Sequence, residues 1–183
     1  MRCFVAVDLD NAVREKLRAV QEEMRKTGTR ARFIDPAAIH VTLKFLGSIQ
    51  EDWLARIKES LTRCATVRPF DVHPRRLGAF PKLSSPRVFW AGIDLQPSLG
   101  QLQSRVEEEL AWTGLKDERA FHPHLTLARV GERKGLEPLI DYIKINGESF
   151  DAGSFTVRDF HLYQSILKPN GAQYVKLASF ALT

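Results

Sequence analysis

The sequence contains two matched stretches, HVTLKFLG at residues 40–47 and HLTLARVG at residues 124–131. Both begin His-x-Thr-Leu, both reach a glycine seven positions after the histidine, and the two histidines lie 84 positions apart. Residues two apart on a β-strand point to the same side, so each stretch can offer a histidine and a hydroxyl to one space. The match therefore predicts two strands that present the same pair of polar groups.

The repeat extends beyond these two strands. The stretch VAVDL at residues 5–9 is echoed by AGIDL at residues 91–95, which is an offset of 86 positions. Apolar residues at helical spacing follow each copy, and Asp10 or Asn11 can cap the first helix while Pro97 and Ser98 lie where the second begins. Two unrelated motifs with nearly the same offset indicate a duplicated chain.

The rest of the chain supports an α+β fold. Helices are expected after residue 47 and around 136–143, strands around 70–80, 87–93, 154–165 and 173–182, and a loop over residues 81–86. No linker divides the halves. We therefore expect one domain over residues 1–183, built from two interwoven, pseudo-symmetric lobes of antiparallel β-sheet, approximately 1–85 and 86–183, with helices on the outer faces and a cleft between the lobes.

Strict alternation divides the residues of the two strands between the cleft and the core. It places His40, Thr42 and Lys44 on the cleft side and turns Val41, Leu43 and Phe45 toward the core. On the second strand it places His122, His124 and Thr126 together, opposite Leu125 and Leu127. Histidine, with an ordinary pKa of about 6.5, can give or take a proton near neutrality. Two such faces suit metal-independent phosphodiester chemistry.

The composition is that of a soluble protein with a mild basic excess. Of the 183 residues, 27 are Lys or Arg and 22 are Asp or Glu, a net charge of +5 that is compatible with a phosphate-bearing ligand. Cys3 and Cys64 lie in apolar segments and favour buried free thiols in a reducing compartment. No apolar run approaches the roughly 20 residues that span a bilayer. We expect a cytoplasmic protein with no membrane partner.

These segments, with the opening FVAVDL at residues 4–9 and the segment FHPHLTLAR at residues 121–129, resemble the two-histidine (2H) phosphoesterase superfamily. Within it they are most similar to the RNA 2',3'-cyclic phosphodiesterases, also called 2'-5' RNA ligases. The resemblance implies hydrolysis of a terminal 2',3'-cyclic phosphate of RNA, including the ends of tRNA halves, to a 2'-phosphate. It also implies no cofactor, no metal, a monomer, and reverse joining of RNA ends through a 2'-5' linkage.

The resemblance also implies roles for individual residues. His40 is the expected general acid and His124 the expected general base, although the symmetric motif cannot by itself order them. Thr42 and Thr126 are the expected ligands of the phosphate oxygens. Arg129 matches a position where relatives carry an arginine near the phosphate, but strict alternation turns it away from the cleft, so a bulge or the end of the strand must re-aim it.

Other residues carry open alternatives. Tyr163 is either a stacking surface for an RNA base or a core residue, and His122 either contacts RNA and tunes His124 or is only exposed. His122 and His124 as a metal pair lack further ligands nearby. Basic residues beside the loop, Lys82 and Arg87, are candidates for guiding RNA.

Three hypotheses for the function follow. The first is the RNA cyclic phosphodiesterase. The second keeps the site but changes the substrate, to a 2'-5' oligonucleotide or an ADP-ribose cyclic phosphate. The third is a protein that binds RNA ends without catalysis; the presence of both histidines and both threonines argues against it.

Overall fold

The structure, a computed structural model, describes residues 1–183 and contains four α-helices and ten β-strands. The helices are α1 (Asn11–Lys26), α2 (Leu54–Cys64), α3 (Pro97–Glu109) and α4 (Glu137–Asn146). The strands are β1 (Arg2–Val7), β2 (Arg32–Phe33), β3 (Val41–Ser48), β4 (Phe70–Val72), β5 (Pro74–Lys82), β6 (Ser85–Ile93), β7 (His124–Arg129), β8 (Phe155–Val157), β9 (Asp159–Lys168) and β10 (Gly171–Ala181).

The strands form two four-stranded antiparallel sheets and one small ribbon. The first sheet has the order β10-β9-β1-β3, the second has the order β2-β7-β6-β5, and β4 pairs with β8. Each large sheet thus takes two strands from each half of the chain. The α+β class and the antiparallel sheets predicted from the sequence are confirmed.

One apolar core joins the helices to the inner faces of the sheets. Helix α1 begins at the predicted cap, since the backbone N–H of Val13 donates to Asp10 Oδ1 at 2.8 Å. Its buried stripe includes Leu17 and Met24, and that of α3 includes Leu102 and Val106, in the spacing read from the sequence. Each fully buried side chain of this size contributes roughly 1.5–3 kcal/mol to folding.

Two details of the strands differ from the expectations. The expected loop over residues 81–86 is a tight hairpin instead, because β5 and β6 stay paired up to Lys82 and Ser85. Pro81 is tolerated there because β5 is an edge strand, where a missing N–H costs no ladder hydrogen bond. The expected strand over 154–165 is interrupted at Arg158, where the chain passes from β8 to β9. None of the four helices has both the length and the apolar character needed to cross a membrane.

Candidate active site

The two His-x-Thr segments meet in one cleft between the large sheets. His40 lies immediately before β3 and Thr42 within it, whereas His124 and Thr126 lie on β7 of the other sheet. All four residues line a cavity of about 1150 Å³. The aromatic and basic residues of its wall include Arg2, Phe4, Arg32, Phe45, Phe80, Arg87, His122, Arg129 and Tyr174. The fold thus brings together two pairs that are 84 positions apart in the sequence.

Each histidine is held through its Nδ1 atom. The Nδ1–H of His40 donates to the carbonyl oxygen of Ala38 at 2.8 Å, and that of His124 donates to the carbonyl oxygen of His122 at 2.7 Å. A carbonyl oxygen can only accept, so the proton of each neutral ring resides on Nδ1. Nε2 is therefore the ring nitrogen that can exchange a proton with a ligand, and it is the same atom in both histidines.

Aromatic side chains pack against both imidazole rings. Phe4 stacks on His40 with 4.7 Å between ring centroids, and the Tyr174 ring meets His40 edge-on at 5.2 Å. On the other wall, Phe80 meets His124 edge-on at 5.0 Å. Packed aromatic neighbours restrict the rotation of a ring. Together with the Nδ1 hydrogen bonds, they fix the direction of each Nε2.

Burial lowers the pKa of both histidines, but their charged neighbours differ. Burial takes the pKa of His40 down to about 4; the Ala38 carbonyl and the Asp8 carboxylate act in the opposite direction. Burial also lowers the pKa of His124, the His122 carbonyl opposes this, and the positive charge of Arg129 adds to it. In the free protein the His40 ring is therefore neutral at pH 7. A carboxylate near His40 and an arginine near His124 make the site electrostatically asymmetric.

A β-bulge follows the threonine on each of the two strands. In β3, Leu43 has no partner, because β1 pairs with residues 42 and 44. In β7, Leu127 has no partner, because β6 pairs with residues 126 and 128. The two bulges lie at equivalent positions of the repeat. Because a bulge inserts one residue, the side chains after it point to the opposite face from the one that alternation predicts, up to the next irregularity of the strand, which in β3 falls at Leu46.

The bulge in β7 turns Arg129 into the cavity. Arg129 is exposed and lines the same wall as Thr126, so the irregularity that the sequence required is present. His122, just before the strand, is exposed on this wall, and its carbonyl oxygen holds His124.

The bulge in β3 overturns two expectations. Phe45, expected in the core, is 60% exposed and lines the cavity. Lys44, expected beside His40 and Thr42, is buried, and its Nζ donates to Glu107 Oε2 and to the carbonyl oxygen of Leu115, both at 2.6 Å. Alternation fails because Leu43 and Lys44 both turn inward at the bulge. Phe45 therefore occupies the position in the first half that Arg129 occupies in the second.

Of the two alternatives for Tyr163, the structure favours the core residue over the stacking surface. Tyr163 is only 9% exposed, and its ring stacks on that of Phe4 with 5.3 Å between ring centroids. Its hydroxyl donates to Asp8 Oδ1 at 2.5 Å. Burial and this hydrogen bond raise the pKa of Tyr163. Phe4 covers a face of the ring that a base would need, whereas Tyr174 on the neighbouring strand lines the cavity.

Asp8 is a charged neighbour of His40 that does not line the cavity and that the sequence analysis missed. It accepts hydrogen bonds from Tyr163 and from Lys176 Nζ at 2.9 Å, and its Oδ2 lies 3.4 Å from Nε2 of buried His161. Burial alone would raise the pKa of Asp8, but the two hydrogen bonds hold it below its ordinary value. The sequence indicated only that Asp8 belongs to the repeated segment VAVDL. Its counterpart Asp94 pairs with two exposed arginines instead, and nothing local distinguishes the two.

Comparison with known proteins identifies the family. The family model described as the 2'-5' RNA ligase superfamily matches residues 9–168. The chain belongs to this superfamily.

Relatives within the superfamily match the chain along nearly its whole length. The chain is 41% identical over 181 residues to the RNA 2',3'-cyclic phosphodiesterase of Archaeoglobus fulgidus, covering 98% of this chain and 99% of the relative. It is 33% identical over 187 residues to the protein of that name from Methanothermobacter thermautotrophicus, covering 100% and 99%. Among solved structures, E. coli LigT complexed with 3'-AMP is similar with a TM-score of 0.81 and 27% identity, covering 100% and 98%. The two-histidine resemblance is confirmed.

The superfamily fold thus supplies two Nε2 atoms and two hydroxyls to one cavity. No group of three or more His, Cys, Asp or Glu side chains is arranged to hold a metal ion. The arrangement can accept one proton, donate another and hydrogen-bond to two oxygens of a ligand between the sheets, which are the operations that opening a phosphodiester requires.

Proposed function

We propose that this protein hydrolyses the terminal 2',3'-cyclic phosphate of RNA to a 2'-phosphate and a free 3'-hydroxyl, without a metal ion. The observation that carries the proposal is the convergence of His40, Thr42, His124 and Thr126 on one cavity with both Nε2 atoms free. Two further facts support it: relatives are named RNA 2',3'-cyclic phosphodiesterase, and LigT has been solved with 3'-AMP and with phosphate.

The proposed reaction assigns one proton transfer to each histidine. Nε2 of neutral His124 takes a proton from water as the water oxygen attacks phosphorus. The bond from phosphorus to the 3'-oxygen breaks, and Nε2–H of protonated His40 gives its proton to that oxygen. Each positioned transfer contributes roughly 10²–10⁴-fold. The hydroxyls of Thr42 and Thr126, with Arg129, donate to the non-bridging oxygens as negative charge develops.

The electrostatic asymmetry of the cleft favours this order of the histidines. The Asp8 carboxylate stabilises the charged form of His40, whereas the positive charge of Arg129 stabilises the neutral form of His124. Burial opposes protonation of His40 in the free protein, where its pKa is about 4. An anionic phosphodiester beside Nε2 acts in the opposite sense, because a nearby negative charge favours the imidazolium. We therefore infer that His40 is protonated when the substrate binds.

The same site supports ligation of a cyclic phosphate end when a 5'-hydroxyl takes the place of the attacking water. His124 would take the proton of the 5'-hydroxyl as its oxygen bonds to phosphorus. The bond from phosphorus to the 3'-oxygen breaks, His40 gives its proton to that oxygen, and the phosphate is left in a 2'-5' linkage. We propose this as a secondary activity of the same site.

We further propose that residues 1–183 act as one domain and as a monomer in the cytoplasm, on substrates that include tRNA halves. Cys3 and Cys64 are buried free thiols, which fits a reducing compartment. Sedimentation equilibrium tests the monomer.

The decisive experiment incubates a dinucleotide 2',3'-cyclic phosphate with the protein in EDTA and identifies the product by phosphorus NMR. We expect a 2'-phosphate, with turnover reduced by roughly 10²–10⁴-fold in His40→Ala and in His124→Ala. His73→Ala is the matched control, because His73 is a half-buried histidine that is paired with Asp151 and does not line the cavity. A 3'-phosphate product, or full activity in either cleft variant, contradicts the proposal. Binding without turnover would favour the non-catalytic alternative.

A further inference from the structure

Besides Arg87 on β6, three arginines without a carboxylate partner line the cleft beside the histidines. Arg2 lies on β1, Arg32 on β2 and Arg129 on β7, and all three are exposed residues of the cavity wall. The ion pairs of the protein include none of them. Two acidic residues of the same wall are already paired, Glu107 with Lys44 and Asp117 with Arg119. The three guanidinium groups are thus left free for an anion.

Arg32 and Arg129 stand directly opposite each other on antiparallel neighbours β2 and β7. Directly paired residues share a face, and like charges in this position destabilise a sheet. Strand β2 is only two residues long, so this pair of arginines makes up half of its pairing with β7. The repulsion is relieved when an anion lies between or above the two groups.

Arg32 also reaches from the second sheet toward the first. A methyl group on Gly171, at the start of β10, would lie 3.4 Å from Nη2 of Arg32. Arg2 belongs to the first sheet, two positions before Phe4, which stacks on His40. Charges from both sheets therefore border the same side of the cleft.

The distance from the reacting centre is short. Arg129 and Thr126 pair with Val88 and Trp90, which are two positions apart on β6. At about 3.3–3.4 Å per strand residue this separates the two by about 7 Å along the strand. Arg32 pairs directly with Arg129, so an anion that meets Arg32 lies close to the reacting phosphate, where the next phosphate of the same RNA strand would lie.

We propose that Arg2 and Arg32, next to Arg129 at the reacting phosphate, bind the phosphodiester that precedes the terminal nucleotide. The subsite makes the preferred substrate the end of an RNA chain and not a cyclic mononucleotide. The inference rests on the proposed function. Guanidinium groups suit this ligand because their planar set of N–H donors matches the oxygens of a phosphate.

The test compares two dinucleotides that end in a 2',3'-cyclic phosphate and differ only in their internucleotide linkage. One has the natural charged phosphodiester and the other an uncharged methylphosphonate. For the wild-type protein we expect kcat/KM to be about ten- to a hundredfold higher on the charged dinucleotide, the range typical of losing hydrogen bonds to a charged group. We expect the ratio to shrink in Arg2→Gln and in Arg32→Gln, and to approach one in the double variant.

Arg30→Gln is the matched control, since Arg30 is exposed on the same segment as Arg32 but does not line the cavity. It should keep the wild-type ratio. Both substrates are measured on one protein sample, so a partly unfolded variant lowers both rates and leaves the ratio unchanged.

A wild-type ratio near one overturns the subsite, and so does a double variant that keeps the wild-type ratio. If no cyclic phosphate is hydrolysed at all, the proposed function fails. The subsite is then tested by titrating the protein with the two dinucleotides carrying a 2'-phosphate end: tighter binding of the charged linkage supports the subsite, and equal binding overturns it.

Discussion

Replacing Lys44 by methionine tests the bulge that reverses the faces of β3. The side chain of Lys44 is 1% exposed, and its ammonium donates to Glu107, whose side chain is 28% exposed, and to the Leu115 carbonyl. Methionine keeps the length and the apolar part of the side chain, so the change removes chiefly the charge and its two hydrogen bonds.

The expected cost follows from what the substitution leaves behind. Removing one partner of a buried ion pair destabilises by roughly 3–5 kcal/mol, because the other charge stays without a partner. Glu107 retains some contact with water, which places Lys44→Met at the lower end, about 3 kcal/mol. For a chain of this length that is a decrease in Tm of roughly 6–12 °C.

The assay is thermal and urea unfolding, together with kcat/KM measured well below the Tm. Lys44→Met with Glu107→Gln should recover part of the loss, because the buried carboxylate is then neutral. Lys26→Met is the control: Lys26 pairs with Glu23 at the surface, where such pairs contribute little, and its Tm should stay close to that of the wild type.

Strict alternation makes the opposite prediction. With Lys44 in the cleft beside Thr42, the substitution would lower kcat/KM and leave the Tm unchanged. That combination of results would refute the bulge assignment.

Three further predictions concern the cleft. Phe45→Ala should raise KM for RNA by the equivalent of about 1–3 kcal/mol of lost base stacking. It should leave the Tm unchanged, because Phe45 is 60% exposed. A large decrease in Tm in a melting experiment would show instead that Phe45 packs in the core. The His40 ring, whose pKa of about 4 lies below its ordinary value, binds fewer protons in the folded than in the unfolded state, so urea-melt stability should fall as pH decreases from about 6.5 to about 4. His40→Gln should show a smaller fall; an equal fall in both proteins contradicts the assignment. Asp8→Asn removes a charge that raises the pKa of His40, so the alkaline limb of the profile of kcat against pH should move to lower pH. An unchanged limb would show that Asp8 does not influence the pKa of the general acid.

Much of the candidate site could be predicted from the sequence, because the residues that indicate it lie close together along the chain. Histidine and threonine two positions apart occupy one strand face, and the repeat offset showed that two such strands belong together. The helices followed from apolar spacing, and the cap of α1 from a single aspartate. These features depend on residues within a few positions of one another.

The errors arose where a distant contact or an extra residue decides the outcome. A bulge has no local signature in HVTLKFLG, so alternation misplaced Lys44 and Phe45. The role of Tyr163 stayed open between two alternatives, because its partner Asp8 lies 155 positions away in the sequence. The pairing of Arg32 on β2 with Arg129 on β7 likewise could not be predicted, because it depends on which strands are neighbours in the sheet.

The sequence by itself determined which groups are the candidates for catalysis, because two histidines and two threonines repeat at one offset. The tertiary structure alone decided which way those groups and their neighbours point. The register of strand pairing placed the bulges, and the bulges leave Phe45 and Arg129 exposed in the cleft while Lys44 is buried. The physical reason is that side-chain direction in a sheet reverses with each residue, so one unpaired residue on a strand changes the face of the residues after it.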